Sequence, residues 1–549
     1  MLNFRSLLTS RVSVYLLFLL AFLYLLIGFN YGLNIYDEGL IVYGANRILH
    51  GDVPYKDFWT LYAPGQFYLV AGLFYSFGTE LLTERIFSTI ILFLLSLVLY
   101  WNAGKFVTRK YAVLSVLLFV LWLGEYRFFA NPMPSALLLC FVGTTSLLNY
   151  FSLKHSNLYL MLAGIATGIA TLFRHEIGLV TFLVEQTVII LNVYFTKNPK
   201  ETFIFKRFFE AVREGVSFFV GFVLVLIPFL IYLLVNVPLD ILWYDLFVFP
   251  SMVFPKVRSL PFPLPFPNVI SVLSGDLSLL QFVKSILLRI HFYFPLIVYI
   301  FSVLSIIRLF REKKINLQAN LFWGFLLFGS LGLIYFSQVL VRADLAHLLP
   351  TYLPASVLFG FLLSEIQRVR KFSLWAYLLV CLIVASVVVK PVFTKLQILS
   401  DELTCTAMFR FQIPRAKCIK WEDRGAIYEQ ALRYVQNSVP PGSKIFVGNL
   451  VHERIYINDV MFYFLANRHS ATKYYELHPG LATTSAIQKE IIKDIEHAKV
   501  EFIVLRSENY FESNQSGKSN GVRLLDEYIR GKYSPTKQFG DYVVWRRNR

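Results

Sequence analysis

Apolar runs of about 20 residues recur through the first 390 positions of this chain, and few folds can accommodate them. A helix that crosses the ~30 Å hydrocarbon core of a bilayer needs about that many predominantly apolar residues. Such runs fall at 12–29, 84–104, 111–124, 134–152, 157–173, 177–195, 215–235, 291–309, 319–340, 347–365 and 373–390. Composition agrees: 16% of the 549 residues are charged, against roughly a quarter in ordinary soluble domains. The expected class is a polytopic α-helical membrane protein with about 11 transmembrane helices.

Basic residues set the expected orientation, because cytoplasmic loops carry an excess of Lys and Arg. Arg5 and Arg11 precede the first run, and Lys105, Arg109 and Lys110 follow the second. Lys154 follows the fourth, and Lys197, Lys200, Lys206, Arg207 and Arg213 follow the sixth. Arg308, Arg311, Lys313 and Lys314 follow the eighth, then Arg368, Arg370 and Lys371 the tenth. All share one side if the N-terminus is cytoplasmic. Counting the short apolar segment Gln66–Gly78 as a span would put the later clusters outside, so it is expected as an interfacial or re-entrant helix. The first run lacks a small-x-small cleavage site and reads as a signal anchor. The outer face then collects the loop 30–83, the turns at 125–133 and 174–176, the long loop 236–290, the turn 341–346 and everything after 390. The net charge of +17 lies largely in the cytoplasmic clusters, where membrane lipids are the expected partner. No basic face interleaved with aromatics on a soluble domain is visible, which argues against nucleic acid.

Composition shifts after Lys390, dividing the chain into a transmembrane domain, 1–390, and an extracytoplasmic soluble α/β domain, 391–549. In the latter, Ala426–Asn437 has helical spacing, Pro440-Pro441-Gly442 ends it, and Lys444–Gly448 reads as a buried strand. Ala486–Ala498 followed by Glu501–Leu505 repeats that pairing, and Leu524–Tyr533 leads into Gln538–Arg546 with a turn at Gly540-Asp541. The alternation suggests a mostly parallel sheet. No phosphate loop, dinucleotide fingerprint or nucleophile elbow occurs there, so a lid or acceptor-docking platform is its expected role. Cys405 and Cys418 could close a short loop as a disulfide, whereas Cys140 and Cys381 lie in spans and serve packing. In the long outer loop, Pro250, Pro255, Pro261, Pro263, Pro265 and Pro267 are expected to break helix, with 260–267 extended and polyproline-like.

Charge beside so much apolar surface is costly and therefore informative. Three polar clusters fall on the outer face. The first is Tyr36-Asp37-Glu38, with Lys56, Asp57, Trp59 and Tyr62 downstream; the second is Arg174-His175-Glu176; the third is Arg342, Asp344 and His347. Each has a structural alternative. Asp37 could cap a helix or pair with Arg47, Arg174 could reach for the interface, Glu176 could pair with Arg174, and the third cluster could stabilise a tight turn. Glu185 and Gln186, inside a span, suit helix-to-helix hydrogen bonds. Read functionally, an interfacial carboxylate can take a proton from an attacking hydroxyl or hold a divalent cation. The planar fork of an Arg suits a lipid-linked phosphate. Burial would raise such a carboxylate's pKa and a neighbouring Arg would lower it.

Asp37-Glu38-Gly39, then Tyr43–Arg47, Gly51–Trp59, Leu61–Phe67 and Arg85, together resemble the first outer loop of GT-C glycosyltransferases. The pattern is most similar to the bacterial branch related to dolichyl-phosphate-mannose–protein mannosyltransferases and the aminoarabinose transferase acting on lipid A. Leu172–Gly178 also resembles a feature of that branch. The likeness is specific over roughly 30–90 and general in hydropathy to 390. It implies a polyprenyl-phosphate-sugar donor and inverting transfer, at an active site built on an acid in the first loop. The acceptor would be an extracytoplasmic lipid, glycan or protein, and the location a bacterial cytoplasmic membrane. That acid maps onto Asp37, with Glu38 beside it; Glu176 is the candidate second acid, without a clean motif match. Arg174, His175, Lys56, Tyr62, Arg342 and His347 are candidate substrate-binding residues on physical grounds, since no motif pins the phosphate ligands. Metal dependence varies within the superfamily; Asp37 is the candidate ligand for a Mg2+ or Mn2+ cation. The alternatives are a transporter or flippase of lipid-linked sugars, disfavoured by the lack of a visible internal repeat, and a non-catalytic envelope scaffold.

Overall fold

The computed structural model describes residues 11–152, 156–196, 204–265, 278–316, 320–368, 374–404, 408–422, 424–454, 457–507, 512 and 514–549. Cys405, Pro267 and the basic residues Arg5, Lys154, Lys197, Lys200, Arg370 and Lys371 lie outside these, and with Cys405 the expected disulfide.

All eleven apolar runs are helical. In chain order the helices are α1 (Arg11–Leu26), α2 (Asp37–Leu49), α3 (Gly65–Phe77), α4 (Leu81–Ala103), α5 (Arg109–Trp122), α6 (Pro132–Ser152), α7 (Asn157–Phe173), α8 (His175–Thr196) and α9 (Ile204–Asn236). Then come α10 (Leu239–Trp243), α11 (Phe254–Arg258), α12 (Leu279–Arg311), α13 (Asn320–Val341), α14 (Leu345–Arg368) and α15 (Leu374–Thr404). Among the described helices, eight are long and apolar enough to cross a membrane: α4, α6, α8, α9, α12, α13, α14 and α15. Helices α1 and α7 are apolar but span 16 and 17 residues. The chain is a multi-pass membrane protein. Without a hydrophobic drive between helices in lipid, close contact needs small residues. Gly164 on α7 and Gly221 on α9 provide it, since a Cβ at either would run into the backbone carbonyl of Phe218 or Met161 on the facing helix. Glu185 is buried in the bundle and accepts hydrogen bonds from Thr144 Oγ1 (2.8 Å) and Thr167 Oγ1 (3.0 Å), the helix-to-helix role expected for it.

The long loop between α9 and α12 departs from expectation at Pro250 and Pro255. Instead of breaking helix, Pro250 sits inside a π-helical stretch, Tyr244–Val253, that joins α10 to α11, and Pro255 opens α11. A wide π turn tolerates the missing N–H, and the first turn of a helix never uses it. Helix α12 also starts earlier than its apolar run, at a capping box in which Ser278 and Gln281 bond each other's backbone (3.2 and 2.9 Å).

The C-terminal sheet is mixed, not mostly parallel. Its order is β4-β3-β5-β7-β6, from β3 (Lys444–Asn449), β4 (His469–Ser470), β5 (Phe502–Arg506), β6 (Tyr533–Phe539) and β7 (Tyr542–Arg547); a separate pair holds β1 (Phe409–Arg410) and β2 (Lys420–Trp421). Helical crossovers make β3 parallel to β4 and β5, whereas the Gly540-Asp541 turn is too short for anything but an antiparallel β6–β7 hairpin.

This domain is docked on the loop between α1 and α4, and the two share one core. Ile35, Leu40, Tyr43 and Phe67 pack with Phe411, Tyr428, Phe462, Tyr475 and Val544. Backbone bonds cross the join, from Met461 N to Ile35 O (3.1 Å) and from Trp59 N to Lys473 O (3.0 Å). Gly39 permits the approach, because a Cβ there would strike the Met461 backbone.

Candidate active site

The site begins with a side chain that shapes the backbone. Asn34 Oδ1 accepts from the N–H groups of Tyr36 (3.1 Å) and Asp37 (3.0 Å), turning the chain into α2. Asp37 is the first residue of that helix, past the cap position that Tyr36 holds, so Asp37 does not cap it. Arg47 is held by Asp52 (2.6 Å), which removes the other structural role for Asp37.

Glu38 points elsewhere. One residue along a helix is about 100° around its axis, and that rotation carries Glu38 into the interior, where it is 0% exposed. Arg85 from α4 grips it with Nε to Oε1 (2.6 Å) and Nη2 to Oε2 (2.7 Å), and also donates to Gly32 O (2.9 Å). Adjacent carboxylates thus divide the work: Glu38 ties the loop to the bundle and Asp37 faces open space.

That space is a cavity of about 1190 Å³ between the first loop, the α7–α8 turn, the α10–α11 segment, the α13–α14 turn and the C-terminal domain. Of the residues singled out in the sequence, Asp37, Tyr62, Arg174, His175, Glu176, Arg342 and His347 line it. Glu38 and Lys56 do not; Lys56 is exposed in its loop. All three polar clusters therefore meet in one chamber. Sequence reasoning missed Arg258, Glu476, His478 and Glu512, which also line it. One wall is apolar, formed by Leu179, Val180, Leu183, Phe247, Pro250 and Leu260.

The charged groups are arranged in pairs. Arg174 donates from Nε to Glu176 Oε1 (2.6 Å) and lies 5.2 Å above the Tyr62 ring, so the pairing alternative for Glu176 is realised. Arg342 bonds Asp344 (2.7 Å) and Glu512 (2.7 Å), while Arg258 reaches Glu512 from Nη1 (3.0 Å). The buried Nε of Arg258 has no partner among the described residues. Asp344 also receives the backbone N–H of His347 (3.0 Å), capping α14 as the turn alternative supposed. Burial pushes the Asp344 carboxyl up, but its bonds from His347 and the Arg342 charge outweigh that and hold it below the ordinary carboxylate range.

Burial raises the pKa of Asp37, against a weak hydrogen bond from Asn34 Nδ2 (3.4 Å) and the charges of Arg258 and Arg342. Burial likewise raises Glu476 to about 8, reinforced by Asp37. It lowers His478 to about 3, aided by Arg258; the neutral ring fits its contact with Pro479 O (2.7 Å) and its aromatic cage of Trp59, Phe249 and Phe254. A base must be ionised to act, so activity resting on Asp37 is lost as pH falls through its raised pKa. Asn34→Ala removes a bond that favours the charged form, and the acid limb of the rate profile is expected to move to higher pH. A profile of kcat/KM against pH checks this; an unmoved limb would separate Asp37 from the rate. Among the described residues no three His, Cys, Asp or Glu side chains converge to hold a metal ion. A cation at Asp37 would draw most of its ligands from water and substrate, so the donor set does not itself build a metal centre.

Residues 62–206 match the model of the family described as dolichyl-phosphate-mannose-protein mannosyltransferase. No curated protein matches the chain by sequence. Among solved structures, the chain is similar to ArnT from Cupriavidus metallidurans bound to undecaprenyl phosphate, at 13% identity and a TM-score of 0.53, covering 98% of each chain. It is also similar to the oligosaccharyltransferase AglB from Archaeoglobus fulgidus in complex with an inhibitory peptide and a dolichol-phosphate, at 11% identity and a TM-score of 0.52, covering 90% of this chain and 70% of that one. Those proteins and the matched family are GT-C glycosyltransferases. The chain is a multi-pass membrane protein with the fold of those two structures, and its residues 62–206 match the mannosyltransferase family model.

Proposed function

We propose that this protein transfers a sugar from a polyprenyl-phosphate donor to a hydroxyl of an extracytoplasmic acceptor, with inversion at the anomeric carbon. The supporting observation is the convergence in one chamber of a carboxylate that lacks an ion-pair partner among the described residues, three arginines and an apolar wall. Asp37 takes the proton of the attacking hydroxyl. The oxygen forms the new bond to the anomeric carbon, and the bond from that carbon to the phosphate oxygen breaks with its electron pair leaving on phosphate. The leaving group already carries charge and needs no acid. Arg258 holds it through its unpartnered Nε, and Arg174, fixed by Glu176 and Tyr62, supports it. Arg342, with its donors taken by Asp344, Glu512 and Arg258 O, holds Arg258 in place. The apolar wall accepts the lipid chain. The proposed setting is a bacterial cytoplasmic membrane with the chamber on the outer side.

The test supplies radiolabelled undecaprenyl-phosphate sugars and extracted host lipids and glycans to protein in nanodiscs, following loss of label from the lipid. One donor should be consumed and the product should have the inverted anomeric configuration by NMR. Arg258→Gln should raise the KM for that donor by about tenfold, the worth of one charge-assisted hydrogen bond. Binding of donor without any turnover would instead favour transport.

A further inference from the structure

Glu476 belongs to the C-terminal domain, yet it lines the chamber with Asp37. Its backbone is clamped on both sides. Asn458 donates from Nδ2 to Tyr475 O (2.9 Å) and accepts from Leu477 N (2.9 Å), while the Tyr475 hydroxyl donates to Leu40 O (3.2 Å) in α2, the helix that Asp37 begins. The residue between them is 2% exposed, and its Oε2 has no hydrogen-bond partner among the described residues. Buried polar atoms are nearly always paired, and one that is not calls for an explanation such as a ligand.

The chemistry of the missing partner can be narrowed. The three arginines of the chamber each face a carboxylate of the chain: Glu176 for Arg174, Glu512 for Arg258 and Arg342. Among the described residues neither Asp37 nor Glu476 has such a counter-ion, and of the charges acting on Glu476 that of Asp37 is the strongest. A phosphate-bearing acceptor would bring a like charge against the Asp37 carboxylate. A neutral carboxylic acid both donates and accepts, as a hydroxyl does. A Ser or Thr side chain offers one hydroxyl, whereas a saccharide offers neighbouring ones that can meet Asp37 and Glu476 together.

We propose that Glu476 is an acceptor-binding residue, hydrogen-bonded to a hydroxyl of a saccharide acceptor beside the hydroxyl that Asp37 deprotonates. The C-terminal domain then completes the active site and selects a glycan over a phosphate-bearing lipid or a peptide. The inference rests on the sugar-transfer reading above.

The experiment uses full-length wild type, Glu476→Gln and Glu476→Ala in nanodiscs, with the consumed donor and three acceptor probes: a neutral oligosaccharide from the host envelope, a Ser/Thr peptide and lipid A. Thermal melting and binding of undecaprenyl phosphate control for folding and for the donor side. Wild type should glycosylate the oligosaccharide. Glu476→Ala should raise the oligosaccharide KM by about tenfold and leave donor KM within about twofold, the cost of one substrate hydrogen bond. Glu476→Gln, a neutral group with the same reach, should retain most of the affinity. The proposal is overturned if Glu476→Ala leaves the oligosaccharide KM unchanged, if donor KM rises equally, if Gln fails as badly as Ala, or if only the peptide or lipid A is glycosylated. Wild type that removes sugar from no donor overturns the sugar-transfer reading and this inference with it. Normal transfer with an indifferent Glu476 overturns this inference alone.

Discussion

Asp37→Asn is expected to lower sugar transfer by about 10²- to 10⁴-fold, the usual contribution of a positioned general base. The substitution keeps the shape of the side chain and one oxygen for the Asn34 amide, so α2 should start as before. What it removes is the ability to take a proton. The loss belongs in kcat, with undecaprenyl phosphate binding kept, because the side chain acts on the acceptor hydroxyl and not on the donor phosphate. No loss of stability should accompany it, since Asp37 is in no ion pair among the described residues and burial already disfavours its charged form. Label released from the donor lipid by equal amounts of folded wild type and variant decides the matter. Equal consumption would make Asp37 structural and move the base elsewhere in the chamber.

Arg85→Met should act on stability instead, by about 3–5 kcal/mol, because it strands a buried carboxylate. Arg85 and Glu38 are 1% and 0% exposed, so water cannot replace the lost partner. Arg85 also satisfies Phe29 O (3.3 Å) and Gly32 O (2.9 Å), which fixes the loop just ahead of Asn34. Removing both charges, in Glu38→Leu with Arg85→Met, should recover much of the loss, since the desolvation cost disappears with the pair. Recovery stays incomplete because the two carbonyls remain unbonded. Thermal unfolding in detergent measures all three proteins. An Arg85→Met variant that melts with wild type would mean that water or a rearranged neighbour reaches Glu38.

Much of the architecture was legible because the bilayer imposes a local rule. Whether a stretch can cross depends on its own residues, and all eleven runs are helical. The Pro-rich stretch was not legible in this way, since a π turn absorbs Pro250 at a cost no single-residue preference records. Nor was the sheet's mixed order visible, although the Gly540-Asp541 turn that forces its antiparallel edge was.

The candidate site divides similarly. Asp37, Tyr62, Arg174, His175, Glu176, Arg342 and His347 stood out because charge beside apolar sequence is rare, and the chamber contains every one of them. The pair Asp37-Glu38 could not be resolved in the sequence, where two neighbours look alike. A turn of about 100° decides which carboxyl meets Arg85 and which meets the chamber. Arg258 lies in a proline-rich loop with no motif around it, and Glu476 and His478 lie over 400 positions from Asp37 in a domain without motifs.

The amino-acid sequence by itself determined the membrane class, the helical runs and the acidic first loop, because each follows from local hydropathy and local charge. Only the tertiary structure decided that three turns, a proline-rich segment and a C-terminal domain close around one chamber. That outcome depends on long-range contacts such as Met461 on Ile35 and Glu512 between Arg258 and Arg342. Such contacts come from packing between segments far apart in the chain, and no local pattern encodes them.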